Sequence, residues 1–180
     1  MLYMFLADGF EEIEAIATLD VLRRADIEVA TVGVTDKVVT GTHNIKVVAD
    51  KTIDEITTEN LIGIILPGGM PGTENLENSQ IVKQYIAHCF HEEKLICAIC
   101  AAPSILGHMG ILDSKLATCY PGFEKELKKA FVSKELIAID DNIITAKGAG
   151  AAIKFALNIV ANLKSRKLAL SIKESMQCPK

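Results

Sequence analysis

The sequence predicts an α/β three-layer sandwich: a mainly parallel sheet with helices on both faces. Three observations carry this. Short apolar runs recur at Leu2 to Leu6, Leu61 to Leu66 and Leu95 to Ile99. Stretches of helical spacing separate them, as at Ile81, Val82, Tyr85, Ile86 and Ala87. Most runs stop at glycine, proline or small residues, where a strand can turn into its crossover. Strands joined by right-handed helical crossovers leave few topologies other than a parallel sheet covered on both sides.

Taken in order, Leu2 to Leu6 is the first strand. Asp8-Gly9-Phe10-Glu11 predicts a capping box and a helix starting there, with Glu11, Glu12 and Glu14 in its first turns and Arg23-Arg24 in its last, the order the helix dipole favours. Glu28 to Val34 reads as a second strand and Val38 to Ala49 as a hairpin turning through Gly41. The run 61–66 ends at Pro67-Gly68-Gly69, with a second turn at Pro71-Gly72. Ser79 to His91 is a helix, Leu95 to Ile99 a strand, and Ala102-Pro103 opens another helix with proline at a permitted position. Lys115 to Cys119 reads as a strand and Phe123 to Ala130 as a short helix. Leu136 to Asp140 and Ile143 to Ala146 flank a turn, and Gly150 to Leu163 forms a last apolar helix followed by a tail to Lys180.

A chain of 180 residues, 49% apolar and 23% charged, has ordinary globular proportions and suits one domain over 1–180. The net charge of −4, without a basic run, argues against nucleic acid or an anionic membrane as partner. The N-terminus lacks a basic leader and a cleavage site, and no apolar run approaches the roughly 20 residues of a membrane span. Five cysteines at irregular spacing read as reduced thiols. A cytoplasmic protein is the expectation.

Function in such sheets gathers at the carboxyl ends of the strands. Cys100 lies there, on a strand-to-helix turn flanked by small residues, the logic of a nucleophile elbow. Helix N–H groups at such a position are expected to favour the thiolate and lower its pKa. Glu14 falls on an apolar stripe with Phe10, Ala17 and Val21, and its helix starts at the same sheet edge. A carboxyl there can stay protonated, donate to a thiolate, or exchange protons with a substrate. The Gly69 and Ala101 N–H groups form a candidate oxyanion hole beside Gly68. Gly148-Ala149-Gly150 reads as a turn or, alternatively, as a substrate contact. Cys97, three residues before Cys100, belongs to a strand and should face away from it, which opposes a thioredoxin-type pair. One C-x-x-C supplies too few ligands for a metal, and no phosphate-cradling loop is present, so no cofactor is expected. Of the histidines, only His43 is a candidate for the site rim.

Gly9-Phe10-Glu11-Glu12-Ile13-Glu14, Leu66-Pro67-Gly68-Gly69, Ala98-Ile99-Cys100-Ala101-Ala102-Pro103 and Lys147-Gly148-Ala149-Gly150 together resemble the ThiJ/PfpI family. Within it they are similar to the branch of the parkinsonism-associated protein deglycase. The resemblance implies a flavodoxin-like sandwich related to glutamine amidotransferase domains, and a homodimer with the first helix as a candidate contact. It also implies Cys100 as nucleophile and oxidation site, with Glu14 as its partner. The activities implied are glyoxalase or deglycase action on small dicarbonyls such as methylglyoxal or their protein adducts; the alternative is a non-enzymatic oxidative-stress sensor or redox-regulated chaperone. The protease branch carries histidine after the cysteine, where this chain has Ala101, so peptidase activity is not expected. Where the deglycase branch has a histidine before a proline, this chain has Tyr120. Tyr120 is therefore a substrate-binding candidate, and proton transfer falls on Glu14.

Overall fold

The computed structural model describes residues 1–179. A seven-stranded sheet runs in the order β10-β11-β7-β6-β1-β2-β5. Its centre is β1 (Leu2–Leu6), β2 (Val29–Gly33), β6 (Gly63–Leu66) and β7 (Leu95–Ile99), all parallel. β11 (Ile143–Ala146) continues the parallel set beside β7, and β10 (Ile137–Asp140) closes that edge antiparallel to β11. The two-residue β5 (Lys51–Thr52) closes the other edge. The three-layer α/β class is therefore correct.

Alternation along the strands builds two cores. Tyr3, Phe5, Ile64, Leu66, Ile96 and Ala98 face one side, against Leu76, Val82, Ile86, Ile105 and Leu106. Those come from α2 (Gly72–Asn78), α3 (Gln80–His91) and α4 (Pro103–His108). Leu2, Met4, Leu6, Ile65, Cys97 and Ile99 face the other side, against Val21, Leu22, Phe155, Ile159 and Ile172. These lie on α1 (Glu12–Arg24), α5 (Ala152–Leu163) and α6 (Arg166–Ser175). α1 and α5 pack closely, although they lie near opposite ends of the chain. Fully burying each large aliphatic or aromatic side chain here contributes about 1.5–3 kcal/mol.

Several elements differ from expectation. The helix expected from Asp8 begins at Glu12, because Gly9 takes a φ of 86° and keeps the chain in a loop. Asp8 forms no capping box; its Oδ1 accepts from the Thr40 N–H at 2.8 Å. Gly9 also lies against Pro71, where any Cβ would collide at 2.5 Å. Expected strand 115–119 shrinks to β8 (Leu116–Ala117), which leaves the main sheet to pair with β9 (Phe131–Val132). Expected helix 123–130 is a single 3-10 turn, Glu124–Leu127. The hairpin holds as β3 (Val38–Thr40) and β4 (Lys46–Val48). The tail forms α6, capped by Ser165, whose Oγ accepts from the Leu168 N–H. No helix among the described residues is long and apolar enough to cross a membrane.

Candidate active site

Cys100 stands immediately after β7 with φ 65°, in the left-handed region that non-glycine residues seldom occupy. The surroundings hold it there. Its N–H donates to the Ala146 carbonyl at the end of β11 (2.9 Å), and its carbonyl accepts from the Tyr120 N–H (2.8 Å). This turn carries the side chain to the same core face as Cys97, so the two do not face apart. Strand parity ends at Ile99. Both remain free thiols, with Cys97 fully buried and its pKa raised by burial.

Glu14 sits on the first full turn of α1 and is only 1% exposed. Its Oε2 accepts from the Gly68 N–H at 2.8 Å. Its Oε1 is buried without a partner. The Cys100 thiol is the next neighbour acting on the carboxyl, although the two do not close a hydrogen bond of standard geometry. Glycine at 68 is obligatory for this contact. A Cβ there would lie 2.5 Å from the Cys100 Cβ and 2.8 Å from Glu14 Oε2. Gly69, at φ 90°, brings its backbone against Gly9, Phe10 and Glu11, joining the loop after β6 to the start of α1.

The Ala101 and Gly69 N–H groups, expected to form an oxyanion hole, both act on the Cys100 sulfur. Gly148 closes the site on another side. A Cβ there would lie 3.2 Å from the Tyr120 ring and 3.9 Å from Cys100 Sγ. Tyr120 covers Gly148 and is 49% exposed, at the mouth. Thus Cys100, Glu14, Gly68, Gly69, Ala101 and Tyr120 meet in one place. Gly148, which the sequence left between a turn and a substrate contact, joins them, and its signal was its position just after a strand adjoining β7.

The electrostatics correct one expectation. The Cys100 thiol is pushed up to about 12, by burial first and then by the negative charge of Glu14, with the Ala101 and Gly69 N–H groups opposing. No helix end lowers it: α4 begins three residues later and has only six residues. Burial lifts the Glu14 carboxyl from 4.5 to about 7, against the Gly68 hydrogen bond. The two groups titrate as a pair. Moving the thiol proton to Glu14 removes the carboxylate charge that disfavours the thiolate, so the productive ionic state needs no net loss of a proton.

Beside this pair lies a polar rim. Glu12 is 5% exposed; its Oε1 accepts from the His43 N–H (2.7 Å) and its Oε2 meets His43 Nδ1 at 2.8 Å. Gly41 makes room, since a Cβ there would sit 2.3 Å from Glu12 Oε1. Burial opposes ionisation of Glu12, but the hydrogen bonds from His43 and neighbouring N–H groups outweigh it and lower its pKa. The Glu12 hydrogen bond, with Glu11 nearby, raises that of His43. Glu11, Glu12 and His43 offer three ligand atoms within 4.8 Å of one another, the group among the described residues able to hold a metal. Its sequence separation hid it. The internal ion pair already satisfies Glu12.

The pattern of the DJ-1/PfpI family matches residues 1–162. The chain belongs to the DJ-1/PfpI family. Arabidopsis thaliana protein DJ-1 homolog B is 35% identical over 93% of this chain, which spans only 39% of that relative's length. The Caenorhabditis elegans glutathione-independent glyoxalase DJR-1.2 is 32% identical over 86% of this chain and 83% of its own. Among solved structures, oxidised Toxoplasma gondii DJ-1 superposes with TM-score 0.94 at 32% identity, covering 98% of this chain and 97% of the other. In this DJ-1/PfpI chain the elbow, the buried carboxyl and the glycine loop all fall inside the matched span, and α6 falls beyond it.

Proposed function

We propose that this protein is a cysteine-dependent glyoxalase or deglycase acting on small dicarbonyls such as methylglyoxal or on their protein adducts. The observation that carries the reading is the buried Glu14 carboxyl, lifted to about 7 beside a left-handed Cys100. A carboxyl poised near neutral pH is matched to both proton abstraction and donation. In the reaction, Glu14 takes the thiol proton and the sulfur adds to the aldehyde carbon. The resulting oxyanion lies toward the Gly69 and Ala101 N–H groups and is then protonated by Glu14, which returns to the carboxylate. Glu14 removes the C1 proton to give an enediol, whose reprotonation at C2 leaves a thioester. Water releases the hydroxy acid and restores the thiol. C1 is oxidised as C2 is reduced, so the chemistry balances without an external redox cofactor. Tyr120, at the mouth, contacts substrate, and the absence of a histidine there leaves the proton transfers to Glu14.

The glyoxalase named among the relatives supports this reading. Steady-state methylglyoxal turnover should be saturable in the wild type and lost in Cys100→Ser; equal turnover by both would overturn it. A second reading, oxidative sensing, is favoured by the unpartnered Glu14 Oε1 and the two N–H groups on sulfur, which together suit a sulfinate. It takes precedence if turnover is negligible while mild peroxide oxidises Cys100 ahead of the half-buried Cys178. A homodimer through α1 is part of the proposal, supported by Ile13 and Ile16, exposed on the helix's outer face. Only monomer in sedimentation at micromolar concentration would remove it.

A further inference from the structure

The surface behind α5 and α6 carries a second feature, unrelated to Cys100. A groove of about 720 Å³ runs between the two helices. Ile153, Leu157, Ala161 and Leu170 make its apolar floor, and Lys154, Arg166 and Lys173 are the charged residues lining it. Among the described residues, no carboxylate side chain lines it. This is unusual on a chain of net charge −4, and the local sequence explains it: from Lys164 to Lys173 there are four cations and no acid. Ile153 and Leu170 are exposed, so an apolar strip faces water inside a cationic border.

We infer that this groove receives an acidic amphipathic helix of a partner protein. Two features of the lining select a helix. The α5 contributions, residues 153, 154, 157, 158 and 161, and the α6 contributions, 166, 169, 170 and 173, are both spaced three and four apart. Two such stripes side by side form the trough into which a third helix lays its own apolar face. The charge selects an acidic one, with glutamate or aspartate flanking an apolar stripe and pairing with Lys154, Arg166 and Lys173. A second copy is the poorer occupant: a two-fold contact through this face would set the same three cations against their equivalents. Half of the trough is α6, beyond the family-matched span, so the site is separate from the shared Cys100 chemistry.

The test uses the full chain and a fluorescein-labelled synthetic helix of about 18 residues, with leucines at helical spacing and flanking glutamates. Its control carries lysine for glutamate. Fluorescence anisotropy should show saturable binding of the acidic peptide, weakened about tenfold or more by Arg166→Glu/Lys173→Glu, by the exposed-site variant Leu170→Ser, and by high salt. The lysine peptide should not bind. Circular dichroism and retained Cys100 reactivity establish that the variants are folded. No saturable binding, equal binding of the lysine peptide, or indifference to the charge reversal would each overturn the assignment. Wild-type self-association abolished by Leu170→Ser would overturn it in favour of a second copy.

Discussion

The two ends of α4 hold titratable groups in opposite circumstances. Just before its start, Cys100 and Glu14 share a largely buried site, and burial is the largest influence on each. At its end, His108 lies between two carboxylates, Glu77 Oε1 at 2.6 Å from Nδ1 and Glu126 Oε2 at 2.8 Å from Nε2. There the hydrogen bond from Glu126 is the largest influence, raising the histidine pKa, with Glu77 adding to it against partial burial. The difference teaches what water removal does to a charge. With no countercharge, Glu14 resists ionisation and becomes a base poised near neutrality. With partners in partial solvent, His108 holds its proton and ties α4 to α2 and the 3-10 turn. In the proposed reaction the first arrangement serves chemistry at some cost in stability; the second ties elements of the fold together.

The largest effect should come from Glu14→Gln, which keeps the shape and the Gly68 contact but removes the base. Methylglyoxal turnover should fall by about 10²–10⁴-fold in kcat while protein remains folded. An unchanged kcat would mean that the buried carboxyl takes no part. Gly68→Ala tests geometry instead, because its Cβ has no room between Cys100 and Glu14. Displacing these groups by about 1 Å should reduce turnover by roughly a hundredfold.

The same carboxyl should mark the stability curve. A shift from 4.5 to about 7 is worth about 3 kcal/mol of differential interaction between the protonation states. Because the folded-state pKa is the raised one, the folded protein binds more protons between these values. Wild-type stability should therefore fall by about 3 kcal/mol as pH rises from 4.5 to 7, then level off. Urea unfolding of Glu14→Gln should lack this component. At the other end of α4, His108→Gln should cost only about 0.5–1 kcal/mol, the scale of a partly exposed ion pair. The raised histidine pKa places this loss below pH 6.5 and fades it as pH rises through the folded value. A constant loss up to pH 9 would show packing rather than charge.

The same contrast explains what could be read in advance. β1, β6 and β7 were legible because buried parallel strands are continuous apolar runs that stop at tight turns. Cys100 was legible because its run ends without a loop. Glu14 stood out as a carboxylate on an apolar stripe. The charge on its neighbour was not: helix N–H groups suggested a lowered thiol pKa, whereas α4 starts too late and burial dominates. α6 was missed because lysine and arginine mask its apolar positions Leu168, Ala169 and Ile172. α2 was missed because Pro71-Gly72 punctuates like a turn, although the helix begins at that glycine. Asp8 looked like a cap because its side chain does accept from a backbone N–H, but from Thr40, 32 residues away. Long-range pairings of this kind, and the Glu12–His43 pair, leave no local pattern.

The close packing of α1 on α5 has a consequence for synthesis. Roughly 130 residues separate the end of one helix from the start of the other. At translation rates of about 5–20 residues per second, α1 leaves the ribosome on the order of ten seconds before its partner exists. Through that interval Val21 and Leu22, among its fully buried residues, have no α5 to cover them. The nascent chain therefore exposes an apolar helix face until α5 has itself been synthesised, and the packing of α1 is completed only then.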